Sequence, residues 1–174
     1  AEGSLSYGSF ETIDGRLDEK SWTATRPVVL GTIERHGKAS PQTEARCSHH
    51  GGFLYVGVKL AEPAIEKLKR KATGKDGPAW QDDSVELFLR PHANRDYFQI
   101  VVSASGAIFD RIGHGQPSDW DSGAKAAVAV EEDGWSMEIA VPMAALDVGE
   151  PIPNRWRVNV YRNRRAGGKA ESQA

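Results

Sequence analysis

The chain has a single cysteine, Cys47, so no disulfide can close within it, and packing must hold the domain together. No apolar run approaches the roughly 20 residues that a membrane-spanning helix requires. An excess of basic charge is missing as well. The 22 Lys and Arg stand against 24 Asp and Glu, a net charge of −2, which argues against a nucleic acid as the main partner. The run Tyr161-Arg162-Asn163-Arg164-Arg165 is the one local exception. There is no Gly-x-Ser-x-Gly elbow, no His-Glu-x-x-His and no phosphate-cradling glycine loop. Cys-x-x-Cys-His is absent, which excludes covalent haem attachment. Neither an internal repeat nor a low-complexity block is visible.

What is there is a chain of 174 residues, 39% of them hydrophobic, enough for one domain with a real core. Eighteen Gly and nine Pro imply many turns. The opening Ala1-Glu2-Gly3-Ser4 carries no start Met, which suits a processed mature end or the edge of a domain in a longer protein. The expectation is one domain over 1–174, tethered to others in an extracellular or periplasmic protein.

Alternation with a period of two dominates. Leu54, Val56, Val58 and Leu60 share one face of a strand. So do Val85, Leu87 and Leu89; Phe98, Ile100 and Val102; Trp135, Met137, Ile139 and Val141; and Trp156, Val158 and Val160. Each pattern predicts a strand with one wet and one dry side. Ala127 to Val130, then Glu131-Glu132-Asp133-Gly134, then Trp135 onward reads as a hairpin. Ser105-Gly106 predicts another. Only Pro63 to Ala72 and Met143 to Leu146 look helical. Short strands joined by turns predict an antiparallel β-sandwich of the jelly-roll or immunoglobulin-like kind.

The wet phase is informative. Glu86, Gln99, Asn159 and Tyr161 oppose the apolar phases of their strands, and Glu138 opposes Trp135, Met137 and Ile139. If the first four share one sheet, its outer face is a bank of donors and acceptors with fixed geometry, which suits sugar hydroxyls. An ordinary solvated face is the alternative. Just before the Val85 strand comes Ala79-Trp80-Gln81-Asp82-Asp83. Trp80 is either a platform for the C–H-rich face of a sugar or a loop indole folded onto the sandwich edge. Asp82 and Asp83 are candidate calcium ligands, because hard cations want several oxygens; turn-capping is the alternative. Asp14, Asp18 and Glu19 form a similar cluster. Cys47-Ser48-His49-His50 makes a poor metal site, since adjacent strand residues point apart. Trp22, Trp135 and Trp156 read as core, and Trp120 as a second platform or a lid. Glu86 and Glu138 offer a glycosidase pair in principle, against which a small sandwich with no deep-cleft signature argues.

Several stretches together resemble carbohydrate-binding module family 9 and its relatives. These are Ile13-Asp14-Gly15-Arg16-Leu17-Asp18-Glu19 with Trp22; Phe53 to Val58; Trp80 to Phe88; Trp135 to Pro142; and Trp156 to Arg162. They cover nearly the whole chain in the family's order. The resemblance implies a non-catalytic β-sandwich that binds sugar chain ends, sometimes with structural calcium. Trp80 matches one of two stacking Trp residues, and Glu86 a sugar-contacting carboxylate. Gln99 falls where the family has an Arg contact, and Tyr161 falls near another polar contact. The family's second stacking Trp follows the last of these strands, and no counterpart of it occurs up to Ala174. The superfamily also includes haem-binding electron-transfer domains. That alternative would draw on Met143 with His49, His50, His92 or His114.

Overall fold

The computed structural model describes residues 12–33, 37, 39–113, 119–148, 151–152, 155–168 and 170–174. Ten strands form two five-stranded antiparallel sheets. The strands are β1 (Val28–Val29), β2 (Thr43–His50), β3 (Phe53–Ala61), β4 (Ser84–Arg90), β5 (Phe98–Ser103), β6 (Ile108–Ile112), β7 (Lys125–Val130), β8 (Gly134–Pro142), β9 (Arg157–Arg164) and β10 (Glu171–Gln173). The first sheet runs β1-β2-β3-β8-β7 and the second β10-β9-β4-β5-β6. The fold is therefore the expected antiparallel β-sandwich.

The apolar phases meet between the sheets. Val56, Val58, Leu60, Met137, Ile139 and Val141 from one sheet, and Val85, Leu87, Leu89, Ile100 and Val102 from the other, are all fully buried. Burying each such side chain contributes roughly 1.5–3 kcal/mol. Both expected hairpins form. Glu131 N–H donates to Gly134 O at 2.8 Å between β7 and β8. Gly106, at φ +85°, turns β5 into β6, a backbone conformation that favours glycine.

The helix expected over Pro63–Ala72 is reduced to a single 3-10 turn, Ile65–Lys67. Carboxylates have claimed the backbone N–H groups that a helix would have used. Lys69 N–H donates to Asp83 Oδ2 at 2.8 Å, and Lys71 and Ala72 N–H both donate to Asp82 Oδ2 at 2.7 Å. Met143–Leu146 is likewise a 3-10 turn.

Glu138 is not on a wet face. It points away from the core, as alternation requires, yet is fully buried. A short helix, α1 (Lys20–Thr23), carries Trp22 onto that outer face. A Cβ at Gly57 would meet the Trp22 ring at 3.1 Å, so glycine makes room for the indole. Trp22 Nε1 donates to Glu138 Oε1 at 2.9 Å, and Asp14 and Gly15 N–H donate to Oε2 at 2.8 and 3.0 Å. Trp22 and Trp135 are buried, while Trp156 packs half-buried against the core.

A buried ion cluster pins the sheets together. Glu62, just past β3, accepts from Arg162 Nη2 at 2.9 Å and from Arg164 Nε and Nη2 at 2.7 and 2.9 Å. Arg162 and Glu62 are fully buried. The arginines of the basic run are thus largely structural.

Candidate functional site

The outer face of the second sheet follows from its register. Glu86 on β4 stands opposite Tyr161 on β9 and Val101 on β5, and Val101 stands opposite Phe109 on β6. One row further along, Asn159, Phe88, Gln99 and Arg111 cross the same four strands. Cross-strand partners point to the same side of a sheet. Glu86, Gln99, Asn159 and Tyr161 therefore share one outer face, and the structure brings all four together.

Their surroundings differ. Glu86 is half-buried, with Oε1 accepting from Asn163 Nδ2 at 2.6 Å and Oε2 from Gln99 Nε2 at 2.7 Å. Gln99 is buried, and its Oε1 accepts from Arg111 Nε at 2.7 Å. A continuous rail, Asn163–Glu86–Gln99–Arg111, thus crosses β9, β4, β5 and β6. Polar side chains linked in this way hold one another in a fixed geometry. Asn159 is exposed, and Tyr161 stacks edgewise on Phe88 with centroids 5.4 Å apart. Phe88 makes a second edgewise contact with Tyr97, also at 5.4 Å.

Trp80 sits in a 3-10 turn, Ala79–Gln81, that leads into β4. It is 40% exposed, while Trp22 and Trp135 are buried and Trp120 and Trp156 half-buried. Phe109 holds it edge to face, with centroids 4.8 Å apart and planes at 71°. Its carbonyl accepts from Arg165 Nη2 at 3.1 Å. Trp120 takes the lid position: it leans on Phe98 at 5.0 Å and donates from Nε1 to Ala145 O at 3.1 Å.

Asp82 and Asp83 anchor the turn beneath Trp80 and do not form an oxygen cage. Both are buried. Asp82 Oδ2 accepts from Lys71 N–H, Ala72 N–H and Ser103 Oγ. Asp83 accepts from Lys69 N–H at Oδ2 and from Arg165 and Ala166 N–H at Oδ1. Donors occupy the space a cation would need, so this pair does not fit calcium. The acids of the opening motif make a different cluster. Ligand-capable oxygens of Asp14, Glu19 and Glu138 lie within 4.8 Å of one another. Glu19 Oε2 is buried with no hydrogen-bond partner among the described residues. Burial, and then the neighbouring charges of Glu138, Asp18 and Asp14, push the Glu19 carboxyl above its usual value.

Glu86 and Glu138 cannot flank one glycosidic bond. Each points outward from a different sheet, across a sandwich whose layers stand about 10 Å apart. Met143 belongs to the core cluster and His92 Nε2 is bonded to Asp147 O at 2.9 Å. His49 and His50 lie on β2, and His114 falls outside the described residues. Nothing here supports the haem alternative. Among the described residues no helix is long and apolar enough to cross a membrane. A cleft of about 430 Å³ lies elsewhere, lined by Arg16, Lys59 and Trp135 among others.

Sequence reasoning missed Arg111, Asn163 and Phe109. Phe109 and Arg111 alternate with Asp110 on a short strand whose phase is weak. Asn163 lies between two arginines in what reads as a charged run. Only pairing with β4 and β5 shows that they share the Glu86 face.

An exposed indole beside a hydrogen-bonded line of polar side chains thus stands on the outer face of an antiparallel two-sheet β-sandwich. The chain belongs to the carbohydrate family 9 binding domain-like family, whose model matches residues 13–165. The fold is similar to that of a family 9 carbohydrate-binding module from Caldicellulosiruptor kristjanssonii in complex with cellotriose. That match has a TM-score of 0.70 and 17% identity, covering 97% of this chain and 80% of that one. A protein from Bacteroides uniformis provisionally described as carbohydrate-binding is also similar, with a TM-score of 0.65 and 16% identity over 86% of this chain and 75% of that one. No curated protein matches the chain significantly.

Proposed function

We propose that this chain is a non-catalytic glycan-binding module, with Trp80 stacking on a sugar ring and the polar rail hydrogen-bonding its hydroxyls. The supporting observation is the exposure of Trp80 over a face whose carboxylate, amides and guanidinium are already oriented. Family membership and the cellotriose-bound relative favour the same reading. An exposed indole covers the apolar face of a sugar at little conformational cost. Preformed hydrogen-bond partners avoid an ordering cost on binding. In this reading Glu86, Asn159 and Tyr161 contact the hydroxyls, joined by Arg111 and Asn163. Gln99, with both ends of its amide engaged, orients Glu86 and Arg111 and is a positioning residue.

The module serves an extracellular or periplasmic protein, holding a tethered partner near its substrate by effective concentration. Of the two acidic clusters, Asp14, Glu19 and Glu138 is the candidate for the calcium implied by the family resemblance, because Glu19 Oε2 has no partner among the described residues, while both Glu138 oxygens already accept N–H donors.

Calorimetric titration with soluble oligosaccharides tests the reading. Wild type should bind at least one, and Trp80→Ala should lose at least about tenfold in Kd, or 1.4 kcal/mol. Equal affinity in the two proteins removes Trp80 from the site.

A further inference from the structure

The outer face of the second sheet has a sign of charge opposite to that of the whole chain. Its strands present three arginines, Arg90, Arg111 and Arg157, against one carboxylate, Glu86. The chain itself carries a net charge of −2. None of the three arginines makes an ion pair with a carboxylate among the described residues. Arg111 spends only Nε, on the neutral Gln99 amide. Arg90 is held by backbone carbonyls, donating from Nε to Arg95 O at 2.8 Å and from Nη2 to Ala93 O at 2.7 Å. Arg157 is exposed.

Their placement is ordered. Arg90 and Arg157 stand directly opposite each other on β4 and β9. Like charges in that relation repel, and Asp96 and Asp147, the acids that line the same hollow as Arg90, form no ion pair with it among the described residues. The row holding Arg111 comes just before them, and the Glu86 row before that. Trp80 lies at the other end of β4. Arg90 lies six residue steps beyond Ser84, about 20 Å along an antiparallel strand. The face therefore runs from an aromatic, charge-balanced end to a cationic end. A guanidinium recognises a planar carboxylate or a sulfate by paired N–H donors.

We propose that the preferred ligand is an acidic oligosaccharide, bearing carboxylate or sulfate groups, one ring of which stacks its C–H face on Trp80 while an acidic group further along reaches Arg111 and the Arg90–Arg157 row. This rests on the glycan reading above and adds the ligand class.

The test is calorimetric titration of the whole chain with cellotriose, trigalacturonate and a sulfated galactan tetrasaccharide, each at low and at 0.3 M salt. At least one acidic ligand should bind tenfold or more tighter than cellotriose, and salt should shrink that advantage because exposed charges are screened. Arg157→Gln, at an exposed position whose side chain makes no hydrogen bond or ion pair among the described residues, should cut acidic affinity several-fold and leave cellotriose unchanged. If cellotriose binds as well as both acidic sugars, the acidic preference is overturned and the glycan reading stands. If no saccharide binds, the glycan reading itself falls and takes this one with it. Equal binding of linear polyphosphate would overturn the proposal by showing charge attraction without sugar recognition.

Discussion

The ring of Trp80 meets Phe109 edge to face at 4.8 Å, so the exposed indole is held by a residue almost thirty positions away on the far strand of the sheet. Such aromatic pairs are worth about 0.5–1.5 kcal/mol beyond their area. Phe109→Ala should leave Trp80 in place chemically but free to reorient. The expected outcome is a roughly three- to tenfold weaker saccharide Kd, with a red-shifted, broadened tryptophan emission. Unchanged affinity would mean that the platform orients itself.

Gln99 links Glu86 to Arg111 and has little exposed surface of its own. Gln99→Ala should weaken binding by disordering its two neighbours. Leaving buried polar groups unpaired costs about 1–3 kcal/mol, and part of that should appear in stability. The discriminating measurement is Gln99→Glu. It would repel Glu86 while still accepting from Arg111, and should weaken binding more than Gln99→Ala does.

Glu62 should contribute to the acid sensitivity of the fold. Burial acts to raise its carboxyl. Hydrogen bonds from Arg164 and Ala64 N–H, with both guanidinium charges, outweigh that and hold it below the ordinary 4.5. A lowered carboxyl stabilises the folded state above the unfolded value and loses that contribution as pH falls through the folded one. Unfolding midpoints should therefore drop on acidification below about pH 4.5. Burial pulls Arg162 down to about 10 despite Glu62, so it remains charged at neutral pH. Glu62→Gln leaves two guanidiniums without their anion and should cost about 3–5 kcal/mol at pH 7. Denaturant titration across pH checks both; a mutant as acid-sensitive as wild type would place the effect elsewhere.

Calcium addition should raise the thermal midpoint, and chelation should reverse the gain. A ligand that binds only the folded state stabilises by mass action, about 2.7 kcal/mol at a hundredfold excess over Kd. Glu19→Gln should abolish the calcium response, whereas Asp83→Asn should lower the midpoint without abolishing it. A response lost only in Asp83→Asn would return the ion to the Trp80 turn.

The strands were legible because alternation is a local signal. Val85, Leu87 and Leu89 announce a dry face, and Glu86 follows on the wet one. Glu138 shows where local reading fails. Its phase is correct, but only the packing of Trp22 over Gly57 covers it. The Pro63–Ala72 segment fails for a related reason. Its helix-forming residues lost their N–H groups to Asp82 and Asp83, ten to fourteen positions away in the chain.

By itself, the order of residues determined the two-sided strands, the turns between them and the position of an indole ahead of β4, because steric and hydrophobic periodicities act over a few residues. Tertiary structure alone decided that Asn163, Glu86, Gln99 and Arg111 form one hydrogen-bonded line and that Phe109 holds Trp80. Those relations depend on which strands are neighbours and in what register, and pairing is settled by burying two sheets against each other, a condition that no short stretch of sequence carries.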